Sequence, residues 1–377
     1  MKALALLLGS TSLVLAASRT SPPAGCLHVA KSGGTYTTVQ SAINSLSTTS
    51  TSDQCVFINQ GTYTEQVYIA SRAAKLTIYG YTTDSASYAN NKAIITYNSP
   101  ASTAGSNDAS GTLRVHAANV KVYRCMFHSQ KRLANIFCVN FSWAGDTVTF
   151  PRICAAGLTV DFPNALDGKG SQAIALSAQA DSGYYGCQFY GFQDTLLANS
   201  GKQYYSACLI TGATDFIFGQ RAQAWFEGCD IRVRNGGYYI TGSYLPSLSI
   251  CFVWPANGRD TADNPSYYLF NRCDVAAASG ESVSSGSYYL GRPWRTYSRV
   301  VFQNTSLSSV INGAGWHDWN GDTDVANIYY AEYANSGTGA SGTRISWAKK
   351  LSSSVSETTV LGSGYSSGAW FDASYPN

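Results

Sequence analysis

Gln172-Ala-Ile-Ala-Leu176, Gln193-Asp-Thr-Leu-Leu197 and Thr214-Asp-Phe-Ile-Phe218 echo one another along the chain, and their spacing decides the fold. Gln172 and Gln193, Asp194 and Asp215, and the cysteines Cys187, Cys208 and Cys229 each recur at a step of 21 residues. The aromatic pairs Tyr184-Tyr185, Tyr204-Tyr205 and Trp225-Phe226 precede each cysteine in turn. A period in the twenties built from short β-branched and aromatic runs, with no helical spacing between them, predicts a parallel β-solenoid. Equivalent positions in successive coils then lie one strand spacing apart, roughly 4.8 Å. That spacing stacks Asp194 beside Asp215 and Gln172 beside Gln193. Two carboxylates so close resist joint ionisation, so one is expected to hold its proton to higher pH than the other. The pair thereby divides into an acid and a nucleophile.

Outward from the repeat, the composition fits the same class. The 377 residues are 12% charged, with 35 Gly and 26 Tyr, which suits an all-β extracellular protein better than a helical cytosolic one. The formal net charge of +3 tolerates an anionic partner. No Lys/Arg cluster with interleaved aromatics points to nucleic acid. Met1-Lys2, the apolar runs Ala3 to Leu8 and Leu13 to Ala17, and the small residues at Ala16-Ala17 read as a secretory signal peptide over residues 1–17. No other apolar run approaches the ~20 residues of a membrane span. A secreted, soluble monomer is expected, in which disulfides are permitted.

Val39, Ala42, Ile43 and Leu46 recur at helical spacing, so a short helix is predicted to cap the open N-terminal end of the solenoid. Cys55-Val-Phe-Ile58, Ala74-Lys-Leu-Thr-Ile-Tyr79 and Asn119-Val-Lys-Val-Tyr123 read as early strands, with an exposed loop over Ser99 to Ser110. Strands continue through Tyr267-Tyr-Leu-Phe270, Ser287-Tyr-Tyr-Leu290 and Arg299-Val-Val-Phe302. One solenoid domain over residues 26–377 is expected, with a further short helix over Ile345 to Leu351.

Gly61-x-Tyr63-x-Glu65, Gln172-Ala-Ile-Ala-Leu176, Gly191-Phe-Gln-Asp-Thr-Leu196, Gly212-Ala-Thr-Asp-Phe-Ile-Phe-Gly219 and Leu290-Gly-Arg-Pro-Trp294 resemble, in order, the five signature segments of the pectin methylesterases. The resemblance implies a right-handed parallel β-helix that demethylates homogalacturonan without metal or cofactor. It places the nucleophile on Asp215 and the general acid/base on Asp194. Oxyanion donors fall on Gln193 and Gln172, and the guanidinium that orients the nucleophile on Arg292. Trp294 and Phe192 are expected to contact the sugar, and Glu65 to be structural. This agrees with the chemistry of ester hydrolysis, which needs a nucleophile, donors for the oxyanion and a proton for the departing methoxide.

A serine hydrolase would need Gly-x-Ser-x-Gly with a histidine, and His28, His116, His128 and His317 flank none of these segments. Lyases and polygalacturonases use similar solenoids, but their chemistries leave the two glutamines beside the aspartates unexplained. A non-catalytic pectin-binding protein would not require every signature residue.

Two stretches, 125–156 and 242–255, lose the strand alternation and turn chemistry of the repeat. Cys125-Met126-Phe127 and Gly242-Ser243 are encodable by bases containing GTATGT and GTAGT, which resemble intron starts. Both stretches are therefore read as retained intron sequence and expected outside the stacked coils. They hold four of the ten cysteines, Cys125, Cys138, Cys154 and Cys251. The remaining six are expected to pair as Cys187–Cys208, which share a phase in neighbouring coils, with Cys229–Cys273 as a second pair and Cys26–Cys55 as a third that staples the N-terminal cap.

Overall fold

The computed structural model describes residues 18–129, 172–235, 252–253, 256–318 and 324–375. Residues 1–17, read above as a signal peptide, lie outside them. Three parallel sheets wind around one apolar core, with 11, 8 and 7 strands among the described residues. A single coil shows the plan. Leu176–Ala178 lies in the seven-stranded sheet, Ser182–Tyr185 in the eleven-stranded sheet and Gln188–Tyr190 in the eight-stranded one, before Leu196–Ala198 returns to the first. This is a parallel β-helix. Its step is 21 residues where Leu196 pairs with Ile217 and Tyr184 with Tyr205. Inward aromatics build a continuous column, Tyr184, Tyr205, Phe226, Phe270 and Phe302, with neighbouring ring centroids 4.4–4.9 Å apart. Each ring thus packs on its repeat, which is why one ring of each aromatic pair, Tyr184, Tyr205 and Phe226, keeps the period.

The cysteine period has a backbone cause. Arg124, Gly186, Ala207, Gly228 and Arg272 all have positive φ at the corner between the eleven- and eight-stranded sheets. The residue after each is a buried cysteine, Cys125, Cys187, Cys208, Cys229 and Cys273. Each thiol donates to the carbonyl two residues earlier, as Cys208 Sγ does to Ser206 O at 3.4 Å. Thr305 follows positive-φ Asn304 and makes the same bond to Gln303 O through its hydroxyl. The corner therefore selects a small inward donor.

This corrects the disulfide assignment. Cys187, Cys208, Cys229 and Cys273 are free thiols, and only Cys26–Cys55, with Cα atoms 4.6 Å apart, forms a bridge among the described residues. In-register parallel neighbours keep their Cβ atoms near the strand spacing of ~4.8 Å, wider than the ~3.8 Å a disulfide needs. Burial also pushes the Cys187, Cys208 and Cys229 thiols up, away from the reactive thiolate. Alkylation is expected to leave these four unmodified in the native protein and label all of them after unfolding without reductant. A Cys187–Cys208 cross-linked peptide would contradict this.

The N-terminal cap forms as Val39–Ser45, burying Val39, Ala42 and Ile43, with Thr38 accepting from Ser41 N. Glu65 completes it: Oε1 and Oε2 accept from the backbone N–H groups of Val39 and Gln40, each at 2.8 Å. One carboxylate satisfies two donors that a helix start leaves orphaned, in the favourable field of the helix dipole. Glu65→Ala is expected to cost about 2 kcal/mol, read as a Tm lower by several degrees with the kcat of the folded enzyme unchanged.

Two further expectations change. The helix placed over Ile345 to Leu351 is instead a strand end, Lys349–Lys350, which pairs with Ala331 and Glu332. The helix lies later, at Glu357–Leu361, where Ser356 supplies the N-cap that the earlier segment lacks. Cys125–His128, expected outside the coils, is a buried strand that pairs in register with Ala93–Thr96 and Gln188–Tyr190. Its alternation was hidden because the strand is buried on both faces. Residues 130–156 and 242–251 lie outside the described residues, while Phe252–Val253 pairs with Tyr288–Tyr289.

Candidate active site

Asp194 and Asp215 occupy successive coils just before strands of the seven-stranded sheet. Asp194 N donates to Thr214 O at 3.1 Å, and a bridge joins Gln193 to Thr214. Both aspartates have left-handed backbones, φ 63° and 42°. A short polar side chain tolerates that region better than most, at a cost of roughly 1–3 kcal/mol per residue. Turning there folds the next residue back over the glycine three positions before each aspartate. A Cβ on Gly191 would lie 2.3 Å from Thr195 Oγ1, and one on Gly212 would lie 2.2 Å from Phe216 Cβ. The repeated Gly-x-x-Asp is thus a way of presenting a carboxylate at a tight turn.

Arg292 reaches Asp215 from a later coil. It sits in Arg292–Pro293, which pairs with Ala256–Asn257 and through it with Phe218–Gly219. Its Nε donates to Asp215 Oδ1 at 3.0 Å and its Nη2 to Oδ2. Both side chains are nearly buried, at 4% and 12% exposure. A planar fork on a carboxylate in so dry a place holds Asp215 as an oriented anion. Asp194 has the opposite environment. Burial, and then the charge of Asp215, push its carboxyl well above the usual carboxylate range, against a smaller opposing effect of Arg292. The arrangement can therefore hold one ionised and one protonated carboxylic acid side by side.

Gln172 and Gln193 are both half-buried. Their coils, however, are not in simple 21-residue register. Leu176 pairs with Leu196, a step of 20, and Ala175 N and Leu176 N both donate to Thr195 O, at 2.8 and 3.3 Å. A bend at Ala175 takes up the extra residue. Trp294 packs beside Ile174, Leu197 and Phe218, an apolar floor next to Arg292. The space for its indole depends on Gly258, where a Cβ would meet Trp294 Cε3 at 2.7 Å. Phe192 is only 4% exposed and packs on Ala213, with the Arg234 guanidinium 5.9 Å from its ring centroid. It underlies the site rather than offering an open face.

The sequence reading missed Asn107. Its Nδ2 lies 3.5 Å from Asp194 Oδ2, at the outer limit of a hydrogen bond. Asn107 stands in the segment first read as a plain exposed loop, whose Ala101 N also donates to Gln172 O at 2.7 Å. No periodic signal marks it, because the loop lies outside the repeat.

The family model for pectinesterases matches residues 134–363, and a pectinesterase of Aspergillus aculeatus is 44% identical over 96% of this chain and 95% of its own. The chain belongs to the pectinesterase family. As a pectinesterase it is a carboxylic ester hydrolase, and its fold matches its relatives. The crystal structure of the pectin methylesterase from Aspergillus niger in deglycosylated form superposes with a TM-score of 0.75 at 36% identity, covering 95% of this chain and all of that one. A pectin methylesterase solved in complex with a hexasaccharide shares the fold at 21% identity and a TM-score of 0.61, covering 89% of this chain and 96% of that one.

Proposed function

We propose that this chain hydrolyses the methyl esters of homogalacturonan, releasing methanol and pectate, with Asp215 as nucleophile and Asp194 as acid and base. The observation that carries the reading is the two-pronged Arg292 contact on Asp215, one coil away from a carboxyl whose hold on its proton burial strengthens. Asp215 attacks the ester carbonyl carbon. The charge that develops on the carbonyl oxygen falls to the amide N–H groups of Gln193 and Gln172, each donor contributing about 3 kcal/mol. The bond to methoxide then breaks, Asp194 gives its proton to the leaving oxygen, and methanol departs. An anhydride between Asp215 and the galacturonate remains. Asp194, now charged, takes a proton from water, whose oxygen attacks the anhydride. Asp215 and the product carboxylic acid separate, and Asp194 is protonated again.

Trp294, held on its apolar floor, offers an amphipathic ring for the sugar face. The leader over residues 1–17 and the Cys26–Cys55 bridge support export to the outside of the cell, where the polymer is found. Highly methylated pectin should yield methanol without new reducing ends and without unsaturated products. New reducing ends would favour a glycosidase, ring unsaturation a lyase, and binding without methanol a non-catalytic protein.

A further inference from the structure

The outward face of the seven-stranded sheet extends well beyond the catalytic coils. One register column runs Phe218, Leu197, Ser177, Arg114 and Tyr68. Phe218 and Leu197 form the floor under Trp294, so Tyr68 lies on the same face, three strands from Leu197 or roughly 14 Å along the stack. Among the described residues Tyr68 is the exposed large hydrophobic side chain, at 39%. Its position is built. The Arg114 guanidinium lies 4.9 Å from its ring centroid, and the His116 ring packs against it at 5.1 Å.

Asp108 fixes both neighbours, accepting from Arg114 Nη2 at 2.6 Å and meeting His116 Nε2 at 3.0 Å. Ser177 Oγ donates to Asp108 at 2.7 Å, and the network continues through Gln179 to Asn199 in 2.8 Å steps. Arg114 commits only part of its fork to Asp108, and its buried Nε has no partner among the described residues. The same loop that supplies Asp108 supplies Asn107 to Asp194, so one wall borders both places.

An aromatic ring with an arginine over it and a strip of side-chain amides and hydroxyls beside it is the chemistry that holds an anionic sugar. The ring takes the pyranose face, the guanidinium takes a carboxylate, and the amides take hydroxyls. We propose that Tyr68, Arg114 and His116 form a distal subsite that binds a uronic acid unit of the polymer several sugars away from the reacting ester. This rests on the pectin methylesterase reading. The subsite makes the enzyme sensitive to chain length, because a short oligomer over Asp215 does not reach Tyr68.

The test is steady-state methanol release by wild type, Tyr68→Ala, Tyr68→Phe and Arg114→Gln on methylated trigalacturonate and on highly methylated pectin. Tyr68→Ala is expected to raise KM for the polymer about tenfold, a loss near 1.4 kcal/mol, with kcat unchanged and the trimer unaffected. Tyr68→Phe keeps the ring and is expected to keep KM. Arg114→Gln, read the same way, carries the test if Tyr68→Ala lowers Tm and folds poorly. An unchanged polymer KM in the folded variants, or an equal shift on trimer and polymer, overturns the subsite. Failure of the wild type to release methanol from either substrate would instead overturn the function on which it rests.

Discussion

Asp215→Asn is expected to abolish methanol release and to lower the melting temperature together. An amide cannot form the anhydride, so turnover should fall to background. Retention of more than about a tenth of wild-type kcat, a barrier difference of only ~1.4 kcal/mol, would exclude Asp215 as nucleophile. The stability loss has a separate cause. Arg292 is 4% exposed and directs two donors at the carboxylate. Removing the negative charge breaks the two-pronged pair that the buried guanidinium makes with Asp215, and breaking a buried pair from one side typically costs about 3–5 kcal/mol. Arg292→Met in the same background should restore part of the Tm but none of the activity, which separates the structural from the chemical role of the pair.

Asp194→Asn is expected to do the opposite to stability while still crippling the enzyme. Loss of a general acid and base typically costs about 10²–10⁴ in rate, so kcat should fall by that order with KM little changed. Burial and the neighbouring Asp215 hold the folded carboxyl of Asp194 above its unfolded value of about 3.9. The folded state therefore binds the proton more tightly than the unfolded chain. Stability declines as pH rises from about 3.9 through the raised value, and the full penalty persists above it. Asparagine carries no such penalty. The variant should melt higher than wild type at neutral pH, and the difference should vanish below about pH 4, as thermal melts across pH would show. The same protonation governs activity. With Asp194 as the proposed acid, the rate of the methanol-releasing step should fall as pH rises through the raised value. A Tm difference independent of pH would mean that Asp194 is not held protonated.

Most of the solenoid was legible because its information is periodic. The step of 21 residues marks the stacked aspartates, the inward aromatic column and the corner cysteines without any knowledge of contacts, since a parallel ladder turns equal spacing into adjacency. Glu65 was legible as structural, but its partners were not, because a bidentate cap on Val39 and Gln40 is set by how the first coil closes on the helix. The same periodicity misled where direction mattered. Cysteines at one phase do approach one another, yet parallel in-register side chains point the same way, and the thiols donate to backbone carbonyls instead of bridging.

By itself, the sequence determined the solenoid, the capping helix and the pairing of Asp194 with Asp215, since each depends on short-range spacing read through one strand repeat. Only the tertiary structure shows that Asp194 is pushed toward its protonated form. That rests on the depth at which Asp194 is sealed, while Asp215 is held by Arg292, 77 residues beyond it in the chain, reaching back across the coils. The step of 20 from Leu176 to Leu196, the approach of Asn107 and the reach of the sheet face to Tyr68 were likewise invisible in the chain. Loops and long side chains obey no period, and a proton's energy depends on every charge and every water-excluding atom around it.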